Sequence, residues 1–230
     1  MREPALRPDW SGEMPRISIV IPVRNDAALL AGLLAYLATL RGWDEIIIAA
    51  YAPPDGLANI DAVVLSAPGV KLVQGGARHQ RLNDACAMAT GDIVLLLPVD
   101  ARPHPRFCAA LRAAVTQGAV AGCLRQRHAR RSFFYRWLES CAAVRARWTC
   151  GAYMDQAPFF RRQAMLRRGG FRAVGPYDTS DMARRLRRRG GFALLPCPVL
   201  VSCRAWVQRG VVPTFLQYQR LRWAQLWNRR

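Results

Sequence analysis

Arg16-Ile17-Ser18-Ile19-Val20-Ile21-Pro22 is a short, largely β-branched apolar run closed by a proline. Such a run reads as a strand buried on both faces of a sheet. Asn25 and Asp26 follow and can cap a helix, and residues 27–40 place Leu29, Leu30, Leu33, Leu34 and Leu37 at helical spacing. The pattern then recurs. Residues 45–50 and 93–97 read as buried strands, and residues 63–65 and 71–73 as short strands around Pro68-Gly69. Residues 83–90 form an Ala-rich helix stopped by Gly91. Strands alternating with helices predict an α/β fold with a mostly parallel sheet flanked by helices. Ligands of such sheets bind at the carboxyl ends of the strands. Those ends are residues 22–25, 50–55 and 98–102.

Beyond Arg106 a helix over 107–116 gives way to less regular Arg-rich segments. Residues 1–15, with Pro4, Pro8 and Pro15, read as a loose arm, and residues 16–205 as one domain. Residues 206–230 read as an amphipathic helical extension. Phe215, Leu216, Trp223, Leu226 and Trp227 share a stripe of about 120°, rimmed by Arg220 and Arg222. Such a helix suits either packing on the domain or a peripheral contact with the inner membrane.

The 230 residues carry 34 Lys+Arg against 15 Asp+Glu, a formal charge of +19, and 52% are hydrophobic. A chain this apolar can bury a core, which excludes a disordered class. No run approaches the roughly 20 apolar residues of a membrane span. The first 15 residues, with Arg2, Glu3, Arg7, Asp9 and Glu13, show no secretory pattern, so a cytoplasmic location is expected. Lys71 is the only lysine, so an Arg-favouring composition competes with a polyanionic partner as the source of the charge. A nucleic-acid reading rests on charge alone and ranks last. The seven cysteines form no C-x-x-C pair and read as buried free thiols. His79, His104 and His128 lack metal-ligand spacing.

The order of motifs resembles that of the family 2 glycosyltransferases, which have the GT-A (Rossmann-like) fold. The resemblance begins at Ile17–Pro22 with Asn25. It continues through Gly91-Asp92 before the strand that ends at Pro98-Val99-Asp100, then Asp155-Gln156 with Phe159-Phe160. Gly169-Gly170-Phe171 and the helix from Asp181 to Gly190 match the end of the catalytic domain. Val201 to Gly210 resembles the tail of a bacterial subgroup named for association with a radical SAM/selenium-related domain. The resemblance spans about residues 17–227.

It implies transfer of a sugar from a nucleotide-diphosphate donor to an acceptor, which the lipid-linked class would suit. Asp100 stands at the second Asp of the family's Asp-x-Asp motif and would hold Mg2+ or Mn2+. Asp178 and Asp155 are the candidate catalytic bases. Pro22, Asn25, Tyr51, Arg78, Arg81, Asn83 and Gln156 are the candidate substrate-binding residues. Arg78, His79 and Arg81 stand next to a predicted helix start, where cations and free N–H groups suit a phosphate. The chain departs from the family at Ala50, Pro98 and Thr179, where polar motif residues are usual. These departures keep a second expectation open, a catalytically inactive GT-A-like binding or scaffold protein.

Overall fold

A computed structural model describes residues 13–51, 53–187 and 190–204, and residues 208, 210 and 213 singly. The predicted arm, apart from residues 13–15, lies outside the described residues. So does nearly all of the predicted helical extension.

The order of elements is β1 (Ile17–Arg24), α1 (Ala27–Ala38), β2 (Glu45–Tyr51), α2 (Pro54–Leu65), β3 (Val70–Gln74) and α3 (Arg78–Met88). It continues with β4 (Ile93–Leu96), β5 (Ala101–Pro103), α4 (Phe107–Thr116), β6 (Ala119–His128) and α5 (Phe133–Thr149). The short 3-10 turn Met154–Gln156 precedes β7 (Pro158–Arg161) and α6 (Arg162–Arg167); α7 (Asp178–Arg187) and β8 (Gly191–Val201) close it. The eight strands form one sheet in the order β3-β2-β1-β4-β7-β6-β8-β5.

The β1 alternation explains the two-sided core. Ile17, Ile19 and Ile21 join one apolar cluster with Leu30, Leu33 and Leu37 of α1 and Phe107 and Leu111 of α4. Val20 joins the opposite cluster with Leu82, Ala85 and Cys86 of α3 and Met182 and Leu186 of α7. Each fully buried branched side chain contributes about 1.5–3 kcal/mol relative to exposure, so the sheet is held from both faces.

The parallel half, β3-β2-β1-β4, is the half that the strand–helix alternation predicts. The other half is mixed: β7 runs antiparallel to β4 and β6, and β5 antiparallel to β8. Two assignments change. Val63, Val64 and Leu65 end α2 rather than forming a strand. Pro54 occupies the first turn of α2, and Leu57, Ile60, Val63 and Val64 pack helically onto the core. The Arg-rich region after Gln117 holds two long strands, paired in parallel. In β6 the charges are the outward residues, Arg125 and Arg127, while Leu124, Gln126 and His128 face in. Pro196 and Pro198 obscure β8; a register shift between Leu124 and Arg125 carries the ladder past Pro196, and Pro198 pairs with Arg125. Gly122 sits where three strands meet, and a Cβ there would lie 2.2 Å from the Ala193 carbonyl oxygen.

The Gly91-Asp92 pair lies at the amino end of the parallel strands, opposite their ligand-binding ends. A Cβ on Gly91 would lie 2.6 Å from Ser18 Oγ, and Asp92 accepts a hydrogen bond from the Arg16 N–H at 2.9 Å. Glu45 knots the same end, accepting from Ser18 Oγ, Thr90 N–H and Lys71 Nζ at 2.6, 2.6 and 2.7 Å. Burial works to raise the Glu45 carboxyl, yet these bonds outweigh it and hold it at about 2. Its stabilisation is therefore complete above the ordinary value of 4.5 and is lost as pH falls toward about 2. Glu45→Gln is expected to cost about 2 kcal/mol at neutral pH. Urea titrations across the acid range should show that gap closing as pH falls.

Candidate functional site

A cleft of about 610 Å3 opens at the carboxyl ends of β1, β2 and β4. β1 contributes Pro22, Val23 and Arg24, and Tyr51 ends β2. Gly76, Ala77, Arg78 and Arg81 come from the start of α3, and Pro98, Val99 and Asp100 follow β4. The volume lies in the range of small-molecule sites.

Local backbone chemistry builds each wall. Asn25 has φ of 51°, a left-handed conformation that Asn tolerates better than most residues. The chain turns sharply there, and both neighbours, Arg24 and Asp26, line the cleft. Asp26 stands at the N-cap position of α1 without bonding its backbone, because its carboxylate pairs with Arg204 at 3.3 Å. Gly75 and Gly76 both have positive φ and bend the chain from β3 into α3. Arg78, His79 and Arg81 therefore belong to α3 itself, one turn earlier than the sequence predicts.

One wall is basic. Arg81 is only 9% exposed, and its guanidinium donates to the Gly75 and Gly76 carbonyls. It lies 4.7 Å from the centroid of the Tyr51 ring, with Arg24 at 5.8 Å. Burial and the neighbouring Arg78 both ease the Arg81 pKa downward. Tyr51 remains 46% exposed, so part of its ring stays available.

Two carboxylates, Asp26 and Asp100, also line the cleft. Burial raises the Asp100 carboxyl above its ordinary value; its own backbone N–H and Arg204 oppose this, while Asp155 and Asp26 add to it. Asp155 accepts from Gln126 Nε2 at 2.9 Å. Gln156 beside it is fully buried and accepts from Arg145 Nη2 at 2.8 Å, which fixes the turn that presents Asp155. Asp155 and Asp26 thus act on Asp100 at the end of β4. No cluster of three or more His, Cys, Asp or Glu poised as metal ligands occurs among the described residues. An oxygen-only, incomplete donor set fits a hard divalent ion, Mg2+ or Mn2+, that draws its remaining ligands from diphosphate and water. It does not fit structural zinc.

The predicted site residues divide into two groups. Pro22, Tyr51, Arg78, Arg81 and Asp100 line the cleft, and Asn25 shapes its rim. Asn83, Gln156, Asp155 and Asp178 lie outside the lining. Asn83 holds the Gly169-Gly170-Phe171 turn, donating to the Phe171 carbonyl at 3.0 Å and accepting from its N–H at 2.7 Å. A Cβ on Gly170 would lie 2.3 Å from Asn83 Oδ1, so that motif is a packing motif here. Asp178 is 1% exposed, paired with Arg78 Nε at 2.7 Å and accepting from the Thr179 N–H at 2.7 Å. Thr179 donates its hydroxyl to the Ala152 carbonyl at 2.9 Å. Ala50 is wholly buried in the sheet, one residue inside the cleft edge.

Among the lining residues Met154 carries no sequence signal, Arg24 falls within the strand end 22–25 that the sequence points to, and Asp26 reads there only as a helix cap. Arg204 lies 178 residues from its partner, and no local pattern announces that pairing. All seven cysteines are free, six of them buried and Cys141 exposed. No described helix is long and apolar enough to cross a membrane.

No family model and no curated protein matches this sequence. Solved structures do match its fold. A mannosyltransferase from Pyrobaculum calidifontis, in complex with GDP-Man and Mn2+, aligns with a TM-score of 0.62 at 20% identity, covering 86% of this chain and 60% of that one. S. aureus TarS 1-349 in complex with UDP-GlcNAc gives 0.61 at 13% identity, over 81% and 58%. Glucosyl-3-phosphoglycerate synthase from Mycobacterium tuberculosis, with Mn2+, UDP and glucosyl-3-phosphoglycerate, gives 0.55 at 19% identity, over 85% and 76%. The chain thus spans about 60% of the length of the first two structures. At these identities the likeness is one of fold, and the fold of this chain is that of the GT-A glycosyltransferases.

Proposed function

We propose that this protein transfers a sugar from a nucleotide-diphosphate donor to an acceptor hydroxyl. The observation that carries this reading is the cleft at the carboxyl ends of β1, β2 and β4, lined by Arg24, Arg78 and Arg81 together with Asp26 and Asp100. Tyr51 stacks on the base, and Arg24 and Arg81 face the diphosphate. Asp100 holds the divalent ion, which when bound neutralises charge developing on the departing diphosphate. Asp155 removes the proton from the acceptor hydroxyl, as a general base in an inverting displacement. Asp178 acts on this site through Arg78, as a positioning residue. The motif order from Ile17 to Gly210 supports a family 2 type enzyme of the bacterial, radical SAM/selenium-associated kind.

Calorimetry with UDP- and GDP-sugars in the presence of Mn2+ tests the reading. Metal-dependent binding of one nucleotide class is expected, and failure of every donor to bind would leave the scaffold reading. Tyr51→Ala is expected to weaken nucleotide affinity about tenfold with little change in kcat, because stacking contributes about 1–3 kcal/mol per base. Asp155→Asn should lower kcat at least 100-fold and leave donor affinity nearly unchanged. A Kd that rises in step with the fall in kcat would remove Asp155 from the proton-transfer role.

A further inference from the structure

A second cavity, of about 710 Å3, shares no lining residue with the donor cleft. Arg102 of β5, Arg127 and His128 at the end of β6, and the start of α5 form its walls. Arg130, Arg131 and Arg136 complete a set of five arginines around one carboxylate, Glu139. That carboxylate is already engaged. It accepts from Arg127 Nη1 at 2.6 Å and from the His128 N–H at 2.8 Å. Arg102, Arg130, Arg131 and Arg136 have no carboxylate partner among the described residues.

One further feature favours an anion there. The 17-residue helix α5 begins at this cavity, with no acidic residue in its first turn, so its positive end is uncompensated.

The solvent side of α5 supplies an independent observation. Phe133, Trp137, Val144 and Trp148 fall within an arc of about 60° at 3.6 residues per turn. Phe133 is 88% exposed and Trp148 79%, and Val144 and Trp137 are also exposed. Arg136 and Arg147 border this stripe. Exposed aromatics beside arginines, running from the mouth of a basic cavity, match a bilayer interface. A free phosphate ion would have no use for the stripe.

We propose that this face docks on an anionic phospholipid bilayer, the cavity receiving a headgroup phosphate while the α5 stripe lies in the interface. Guanidinium groups pair bidentately with phosphate oxygens, so the four arginines without carboxylate partners supply the specific contact. The proposal is independent of the donor cleft, because its readout is vesicle binding rather than transfer.

The test is co-sedimentation of the full chain with phosphatidylcholine vesicles, with and without phosphatidylglycerol. Binding to the anionic vesicles only is expected. Arg130→Ala/Arg131→Ala/Arg136→Ala should weaken it on the order of 100-fold, given the attraction of each base near an anionic surface. Phe133→Ser/Trp148→Ser should weaken it about tenfold or more. All five positions are exposed, so unfolding midpoints should match the parent. The control Arg41→Ala/Arg167→Ala/Arg172→Ala removes equal charge at exposed positions outside the cavity and should stay within about threefold. Equal losses in the two arginine triples would reduce the attraction to bulk charge and overturn the proposal. Binding of inorganic phosphate without binding of vesicles would overturn it too, as would equal binding to neutral vesicles.

Discussion

Asp100→Ala is expected to lower kcat for sugar transfer about 1000-fold, on the order of 4 kcal/mol of lost transition-state stabilisation. Asp100 is the only carboxylate of the post-β4 segment that lines the cleft, and Pro98 two residues earlier offers no ligating side chain. No neighbour in its own segment can replace it. Its setting also predicts how the loss depends on metal and pH. Burial, with Asp155 and Asp26 nearby, raises the Asp100 carboxyl, so the parent should lose activity on acidification above the ordinary carboxylate range. A divalent ion competes with that proton. Raising Mn2+ should therefore move the acid limb to lower pH in the parent and do nothing for Asp100→Ala. Initial rates over a grid of pH and Mn2+ measure both effects. An acid limb that ignores Mn2+ would disconnect Asp100 from the metal.

Arg78→Ala is expected to destabilise the fold by about 3 kcal/mol, because it leaves the buried Asp178 carboxylate without its charged partner. Asp178 is 1% exposed and would retain only the Thr179 N–H. In a chain of this size such a loss should lower the unfolding midpoint by roughly 6–12 °C. The double variant Arg78→Ala/Asp178→Asn removes the stranded charge and should recover to within about 1 kcal/mol of the parent. The cycle also separates the two candidate bases. As a positioning residue, Asp178 should tolerate Asn with a kcat loss below about tenfold, far less than Asp155→Asn. A thousandfold loss at Asp178→Asn with unchanged stability would exchange the two roles.

The parallel half of the sheet was legible because β1, β2 and β4 are buried on both faces and read as continuous apolar runs. β6 and β8 were not. Their alternating arginines and paired prolines resemble irregular chain until the pairing partner is known. Val63-Val64 misled for a related reason: β-branched residues favour strands locally, but packing of Leu57 and Ile60 on the sheet holds the segment helical. The motifs behaved unevenly. Gly91 and Gly170 mark close backbone approaches, a packing requirement that a sequence pattern cannot distinguish from ligand contact.

By itself the sequence determined β1, α1, β2 and β4, and hence which loops gather at the carboxyl ends of those strands. Tyr51, Arg78, Arg81 and Asp100 were locatable on that ground, because local hydrophobic periodicity specifies each element and chain direction specifies its end. Only the tertiary structure decided how each carboxylate is held. Asp155, Asp178 and Asp100 are equivalent as letters. They differ in burial and partner: Asp178 is sealed against Arg78, Asp155 is held by Gln126, and Asp100 lines the cleft with its pKa raised. Those partners lie 29 and 100 residues away in the chain. Long-range packing chooses them, and no local pattern encodes that choice.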